Sequence, residues 1–373
     1  MRHPVKAVHF QLTGRCNLAC SFCGQNKGML GTGREELPVG FWLRCAEETE
    51  PDAPVTFWGG EPLLYPGFEE LAEWADMTRR PEGESFTREE MMEIGAQYDA
   101  LATQFTFPVD RELIDAFPNI KLIANYGVGY NNIDVAYAHS KGITVTNTPR
   151  AVIQPTAELT MGLLLSCSRK IAMWDRHMRR TKSSSKSLSD SSGMATNLYG
   201  KTIGIIGYGN IGRAVGHMAQ AFGMTVLYNK RHQLDAATEQ ELGVTYADLD
   251  KIFTECDVVS LHTPYNEDSH HLVSASRLAQ MKRSAILINA ARGAVVDEAA
   301  LVHALQTGEI AAAGLDVFEH SDNPLPELYE MEQVTMTPHV GTQTYEARVA
   351  MARELCNCII GYFEGDRPIS IVR

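Results

Sequence analysis

Short apolar runs alternate with amphipathic stretches along most of the chain. From residue 86 onward, eight apolar runs have the length and composition of strands, and the segments between them have helical periodicity. These runs are YDALAT, KLIANYG, TVTNT, KTIGIIGYG, MTVLYN, CDVVSLHTP, SAILINA and AAAGLDVF. Near-continuous hydrophobic strands separated by helices are typical of parallel sheets that are covered on both faces. The pattern therefore predicts an α/β fold.

The first 77 residues carry a shorter pattern of the same kind. Two strand-like and two helical stretches alternate there, at 5–12, 38–48, 54–58 and 68–77. The polar stretch TRRPEGES, interrupted by Pro81 and Gly83, follows them and is typical of a connection between segments. We predict three segments, namely 1–78, then 79–148 together with 343–373, and 149–342.

The composition narrows the class of partner. The chain has 33 Lys and Arg against 46 Asp and Glu, and the net charge of -13 disfavours nucleic acid and anionic membranes as partners. The N-terminus has no apolar signal region, and no run approaches the roughly 18 apolar residues that a membrane span needs. We therefore expect a cytoplasmic protein that acts on small molecules.

Three cysteines lie close together near the N-terminus. Cys16, Cys20 and Cys23 form a CxxxCxxC array directly after a predicted strand, and GGEP at 59–62 follows the next one. Three thiolates on one loop can hold three irons of a cubane and leave the fourth iron open. With these two motifs, the segment resembles the radical SAM proteins, which implies a 4Fe–4S cluster and bound S-adenosylmethionine. A structural zinc site is the alternative, and the resemblance ends at Met77, well short of a complete barrel.

A glycine-rich turn follows the apolar strand KTIGII and precedes a predicted helix. The residues GYGNIG permit a tight turn, a close approach of a pyrophosphate and close packing of helix on strand. The N-terminus of the helix then favours negative charge. The predicted dinucleotide-binding residues are Gly207, Gly209, Asn210, Ile211 and Gly212. A purely structural glycine turn is the alternative.

The end of the next strand bears on the choice of cofactor. An NAD site should have an Asp or Glu there for the ribose 2′-OH, but the sequence has Asn229, Lys230 and Arg231. The first acidic residue after the glycine turn is Asp235. Because cations attract a 2′-phosphate, this strand end favours NADP over NAD. The alternative is that the two cations are only a solvated strand end.

Seven further segments carry a second resemblance. They are NYGVGYNNID, TNTP, PTAELTMGLLL, SLHTP, NAARGAVVDE, GLDVFE and TPHVG. With them, the chain from about residue 86 to 373 resembles the D-isomer-specific 2-hydroxyacid dehydrogenases, and among these the glyoxylate/hydroxypyruvate reductases. The resemblance implies a Rossmann-type domain, a flavodoxin-like substrate domain, and a homodimer formed through the helix around residues 156–178. It also implies hydride transfer from NAD(P)H to a small 2-oxo acid.

The resemblance assigns a role to individual residues. Arg292 matches the arginine that pairs with the substrate carboxylate and polarises the carbonyl, and His339 matches the general acid. The loop that should hold the substrate carboxylate through its N–H groups is Val128, Gly129 and Tyr130. Asp316 matches the acid that faces the nicotinamide carboxamide. The remaining positions that should line the cofactor are Thr156, His262 and Pro264.

One catalytic position departs from the family pattern. The family's glutamate that stabilises the protonated histidine corresponds to Ser321, whose hydroxyl cannot supply charge. Asp322, one residue further on, is the candidate replacement. This departure keeps a second function open, that of a catalytically impaired dinucleotide-binding sensor or scaffold. A 4Fe–4S radical SAM protein is a third.

A second departure concerns the start of the substrate domain. The first strand, helix and second strand that the resemblance implies are absent before Phe86. Loss of a central strand would expose the apolar faces of its neighbours. We expect the N-terminal segment to fill this gap, with the strand and helix of residues 54–77 docking onto the sheet that contains residues 122–127.

Overall fold

The computed structural model describes most of the chain. The described residues are 8–10, 71, 74–75, 86–104, 107–184, 194–320, 323–365 and 369–372. The chain divides into two compact units, of which the first is Met1–Val152 with Thr344–Arg373 and the second is Ile153–Gln343. Each unit is built on one parallel sheet with helices, so the α/β fold class is confirmed. The three-segment division stays a prediction, with borders at 149 and 343 that lie a few residues from those of the units.

The first unit contains a four-stranded sheet in the order β1-β2-β3-β4, with every neighbouring pair parallel. Its strands are β1 (Val8–Phe10), β2 (Ala100–Thr103), β3 (Leu122–Asn125) and β4 (Thr144–Thr146). Its helices are α1 (Arg88–Ile94), α2 (Arg111–Asp115), α3 (Val135–Ser140) and α12 (Tyr345–Glu364). All residues of β2 and β3 are buried, which explains their unbroken apolar runs.

Two distant parts of the chain complete the edges of this sheet. At one edge β1 pairs with β2, with Val8 opposite Ala100. At the other edge the N–H of Val372 donates to the carbonyl of Val145 at 2.9 Å, and Ile371 forms an antiparallel bridge with Thr146. The edges of β2 and β4 that face away from β3 are therefore both paired.

The described strand beside β2 comes from the N-terminal segment. The strand in that place is β1, from the first apolar run of the chain, whereas the expected strand at 54–58 lies outside the described residues. The accompanying helix is described at Leu71, which is fully buried, and at Trp74, whose indole N–H donates to Glu364 and whose ring contacts Phe363. The apolar pattern identified both runs as strands, but it carries no information on which of them pairs with β2.

The second unit contains a seven-stranded parallel sheet in the order β11-β10-β9-β8-β5-β6-β7. Its strands are β5 (Thr202–Ile206), β6 (Thr225–Asn229), β7 (Val244–Tyr246), β8 (Val258–Leu261), β9 (Ile286–Asn289), β10 (Ala312–Leu315) and β11 (Val334–Met336). The strand order reverses between β5 and β8, and ligands of such sheets bind outside the carboxyl ends of the strands at this point. The sequence pattern missed β7 and β11, which are three-residue edge strands with a threonine in the middle.

Helices cover the second sheet. They are α4 (Ile153–Arg169), α5 (Ile171–Thr181), α6 (Asn210–Ala221), α7 (Ala236–Leu242), α8 (Leu249–Glu255), α9 (Ala275–Leu278), α10 (Glu298–Thr307) and α11 (Glu327–Glu330). Three of these helices are capped at the N-terminus by an aspartate whose carboxylate accepts an N–H of the first turn. These caps are Asp235, Asp248 and Asp297. No helix in the described part of the chain is long and apolar enough to cross a membrane.

Candidate active site

The glycine-rich turn joins β5 to α6 at the switch point of the second sheet. Gly207 has a φ of +92°, and a Cβ there would lie 2.5 Å from the backbone of His262 and Thr263. At Gly212 a Cβ would lie 2.4 Å from the carbonyl oxygen of Gly207. At Gly209, in contrast, a Cβ would meet no described atom within 4 Å, and no side chain caps α6. The turn therefore leaves open space in front of a helix N-terminus, which fits the pyrophosphate of a dinucleotide.

Asn229 ties this turn to the end of β6. Its carbonyl accepts the N–H of Gly207 at 3.0 Å, and its side-chain amide donates to the carbonyl of Ala247 at 2.8 Å. Lys230 is half-buried and Arg231 is exposed, and neither forms an ion pair within the described residues. Two uncompensated cations thus follow the strand that borders the glycine turn.

Tyr228 closes the loop that carries these cations, and the sequence interpretation missed it. Its hydroxyl accepts the N–H of Leu234 at 2.8 Å and donates to Glu239 at 2.7 Å. Gln233 donates to the same carboxylate oxygen at 3.0 Å. Burial and the hydrogen bond to Glu239 raise the pKa of Tyr228 to about 12, so the hydroxyl stays a donor. The available signal was a tyrosine inside the predicted strand MTVLYN, since a buried hydroxyl needs a partner.

Arg292 lies just beyond the carboxyl end of β9. The side-chain amide of Asn289 donates to its carbonyl at 3.0 Å and so fixes the turn. The Arg292 guanidinium is half-buried and donates to the carbonyl of Ala291 at 2.6 Å. In the part of the chain that the structure describes, no carboxylate pairs with it, and burial lowers its pKa. A half-buried cation without an anionic partner favours an anionic ligand.

Asp316, at the end of β10, holds the segment that contains His339. One carboxylate oxygen accepts the hydroxyl of Thr337 at 2.6 Å and the N–H of Val340 at 2.8 Å, and the other accepts the N–H of Gly341 at 2.9 Å. Burial raises the pKa of Asp316, and these hydrogen bonds partly offset that effect. The side chain predicted to face the cofactor is thus a structural partner of the predicted general acid.

The other predicted cofactor-lining residues lie in the same unit. His262 Nε2 is 2.8 Å from the hydroxyl of Ser260, and burial lowers the pKa of His262 to about 4, so this imidazole is neutral. Thr156 is buried, and a Cβ at Gly341 would lie 3.5 Å from its hydroxyl, which places it beside the His339 segment. Pro264 is exposed beyond the carboxyl end of β8.

The predicted substrate loop lies in the first unit and follows β3 directly. Val128 and Gly129 are half-buried, and Tyr130 is 37% exposed. Two groups of predicted residues lie outside the described residues. They are the catalytic candidates Ser321 and Asp322, and the cysteine array Cys16, Cys20 and Cys23. Among the described residues, no group of His, Cys, Asp and Glu could hold a metal ion.

Comparison with known proteins identifies the relatives of this chain. Residues 161–341 match the family described as D-isomer specific 2-hydroxyacid dehydrogenase, NAD binding domain. A glyoxylate reductase of Thermococcus litoralis is 39% identical over 307 residues, which span 82% of this chain and 91% of that protein.

Solved structures agree with the sequence relatives. A crystal structure of a glyoxylate reductase from Paecilomyes thermophila has a TM-score of 0.77 at 32% identity, covering 86% of this chain and 98% of that one. The NADPH-dependent glyoxylate/hydroxypyruvate reductase of Sinorhizobium meliloti, solved with NADP and malonate, has a TM-score of 0.70 at 31% identity. It covers 82% of this chain and 92% of that one. None of these findings supports the iron–sulfur interpretation of the N-terminal segment, which stays a prediction.

Proposed function

The chain belongs to the D-isomer-specific 2-hydroxyacid dehydrogenases, and from this premise we propose that it reduces glyoxylate, hydroxypyruvate or a similarly small 2-oxo acid with NADPH. It is an NAD(P)-dependent oxidoreductase with a parallel α/β fold. The substrate class follows the relatives that share most of its length, which are named glyoxylate reductases.

The half-buried guanidinium of Arg292 is the observation that carries the proposal. Within the described residues it has no carboxylate partner, so an anionic substrate would compensate a charge that burial disfavours. Its planar array of donors suits both the carboxylate and the keto oxygen of a 2-oxo acid. A polarised keto carbon is the electrophile that reduction requires.

His339 is the proton donor in this proposal. When bound, the nicotinamide cofactor supplies the hydride. The keto oxygen then needs a proton, and an imidazole is suited to supply it because imidazoles titrate near neutral pH. The hydrogen bonds from Thr337, Val340 and Gly341 to the Asp316 carboxylate fix the backbone around His339. In the first unit, the N–H groups of Val128, Gly129 and Tyr130 are the proposed contacts of the substrate carboxylate.

The cations after β6 support a preference for NADPH over NADH. Lys230 and Arg231 have no ion-pair partner in the described chain, and Tyr228 fixes the loop that carries them. A 2′-phosphate supplies the negative charge that would compensate these two cations, whereas the ribose 2′-OH of NADH supplies none. The Sinorhizobium reductase, which is similar over most of its length, was solved with NADP.

A homodimer is also part of the proposal. Helix α5 has no buried residue, and its apolar side chains Ile171 and Met178 are 55% and 50% exposed. A helix with an amphipathic sequence and no buried face is stabilised when a second copy covers that face. Light scattering coupled to size-exclusion chromatography should give twice the mass of one chain, and a Met178→Glu variant should shift it to the monomer.

The proposed reaction is tested by following NADPH absorbance at saturating glyoxylate or hydroxypyruvate. We expect turnover that is abolished in the Arg292→Ala and His339→Ala variants. A protein that binds NADPH with micromolar affinity yet turns over neither substrate would instead be the sensor that the serine at position 321 suggested.

The cysteine array is tested separately. Iron and sulfide analysis of protein purified without oxygen measures whether Cys16, Cys20 and Cys23 hold a 4Fe–4S cluster. The triple serine variant should reduce glyoxylate at the rate of the parent, because the proposed reaction uses none of these thiols. The cytoplasmic location stays a prediction.

A further inference from the structure

Side-chain amides hold three successive carbonyls of the loop that follows β3. The Nδ2 atom of Asn125, the last residue of β3, donates to the carbonyl oxygens of Gly127 at 3.0 Å and Gly129 at 2.8 Å. Asn147, which follows β4, donates through Nδ2 to the carbonyl of Val128 at 2.8 Å. Side chains at the ends of two neighbouring strands therefore bind the carbonyls of Gly127, Val128 and Gly129.

The N–H groups of Val128, Gly129 and Tyr130, unlike the carbonyls of the same loop, are not held by hydrogen bonds within the described residues. All peptide bonds here are trans, and in a trans peptide the carbonyl of one residue points opposite to the N–H of the next. Holding the three carbonyls toward the strand ends therefore turns the three N–H groups away from them. Successive N–H groups that point to one side form an anion-binding concavity.

The residue type at position 125 fits this role closely. Both partners of its side chain are carbonyl oxygens, so the group that faces them is the NH₂, which supplies two donors. A serine or threonine has one donor, and an aspartate has none. Asn125 is fully buried, and its Oδ1 atom has no hydrogen-bond partner among the described residues. An unpaired buried oxygen costs stability, which is consistent with selection of this side chain for its two donors.

We propose that Asn125 and Asn147 are positioning residues that set the N–H groups of Val128, Gly129 and Tyr130 to bind the carboxylate of the 2-oxo acid. The proposal rests on the reductase function proposed above. It assigns the two side chains to substrate carboxylate binding and to neither cofactor binding nor hydride transfer. Their loss should therefore raise the substrate KM while leaving kcat and the NADPH dissociation constant nearly unchanged.

The test compares the parent with Asn147→Ala and Asn125→Ser. Glyoxylate kinetics give KM and kcat, and calorimetry on the NADPH complex gives the Kd of oxamate, an unreactive carboxylate analogue. We expect KM and the oxamate Kd to rise about 10-fold in each variant, because charge-assisted bonds to the carboxylate lose their alignment. The kcat should change less than about threefold, and the NADPH Kd should stay at the value of the parent.

Asn119→Ala is the matched control. Asn119 also donates a side-chain amide to a backbone carbonyl, that of Ala96 at 2.6 Å, in the same unit but outside the loop. An unchanged glyoxylate KM and oxamate Kd in folded Asn147→Ala would overturn the proposal, as would equal losses in Asn119→Ala. Should the parent itself fail to reduce any 2-oxo acid yet bind oxamate, and Asn147→Ala lose that binding, the reductase function fails and the positioning role stands.

Discussion

The N–H of His339 donates to the carbonyl of Asp316 at 2.8 Å, while the Asp316 carboxylate binds the residues on both sides of the histidine. His339 has a φ of +54°, in the left-handed region that costs a residue with a side chain about 1 to 3 kcal/mol. Four hydrogen bonds to one aspartate offset that cost. A buried acid therefore keeps the candidate proton donor in an otherwise disfavoured conformation.

Replacing Asp316 with asparagine should impair both folding and turnover. An amide NH₂ would face at least one of the N–H groups of Val340 and Gly341, so we expect a loss of about 1 to 3 kcal/mol in the free energy of unfolding. The kcat should fall at least about 10-fold because His339 is no longer fixed. Urea denaturation and steady-state kinetics measure the two effects. Asp235→Asn is the control, since asparagine caps a helix as well as aspartate does.

Removing the charge at Arg231 should change the choice of cofactor. A charge-assisted contact to a phosphate contributes on the order of 1.5 to 3 kcal/mol, so Arg231→Ala should weaken NADPH binding about 10- to 100-fold. NADH binding should be nearly unchanged, because NADH has no 2′-phosphate. Fluorescence titration gives both dissociation constants, and exposed Arg283→Ala controls for the loss of net charge. Equal weakening of both cofactors would argue against a phosphate contact.

Ser321 offers a test of how the proton donor is kept protonated. An anion near an imidazole favours its protonated form, and serine provides none. If Asp322 does not replace the missing glutamate, reduction should be fastest at mildly acidic pH, and Ser321→Glu should move the upper limb of the kcat/KM profile to higher pH. If Asp322 does replace it, Asp322→Ala should move that limb to lower pH, and Ser321→Glu should have little effect. Profiles that coincide for the parent and both variants would show that this position does not tune the reaction.

His262 should make the stability of the protein depend on pH. Burial lowers its pKa to about 4 in the folded chain, against an ordinary value of 6.5. As the pH falls from about 6.5 to about 4, the unfolded chain takes up a proton that the folded chain excludes, so the free energy of unfolding decreases. The loss is at most about 3 kcal/mol. Urea denaturation at pH 7.5 and pH 5 should show a smaller difference for His262→Gln than for the parent.

The sequence predicted those parts of the fold and site that depend on local pattern. The runs that became β8 and β9 are buried along their length, β5 is buried after Thr202, and the glycine turn follows β5. The contacts of Asp316 with Thr337 and Val340 were not predictable, because 21 or 24 residues separate the partners and no periodicity links them.

The role of Asn125 could not be predicted from the sequence either. Its hydrogen bonds depend on the direction of the carbonyls of Gly127 and Gly129, which the loop conformation sets. Gly127 adopts a φ of +150°, which only a glycine readily accepts. The sequence shows that a glycine is present, but not which way the neighbouring peptides turn.

The closure of the four-stranded sheet by residues 8–10 at one edge and 370–372 at the other has a consequence for folding during synthesis. The second unit is one continuous stretch, Ile153–Gln343, and it can fold on the ribosome as soon as that stretch has emerged. The first unit must wait for α12 and for residues 370–372, so β4 lacks the partner of its outer edge until the end of the chain has been made. An unpaired edge strand can pair with another chain, so we expect chaperones to bind at the edge of β4 during this interval.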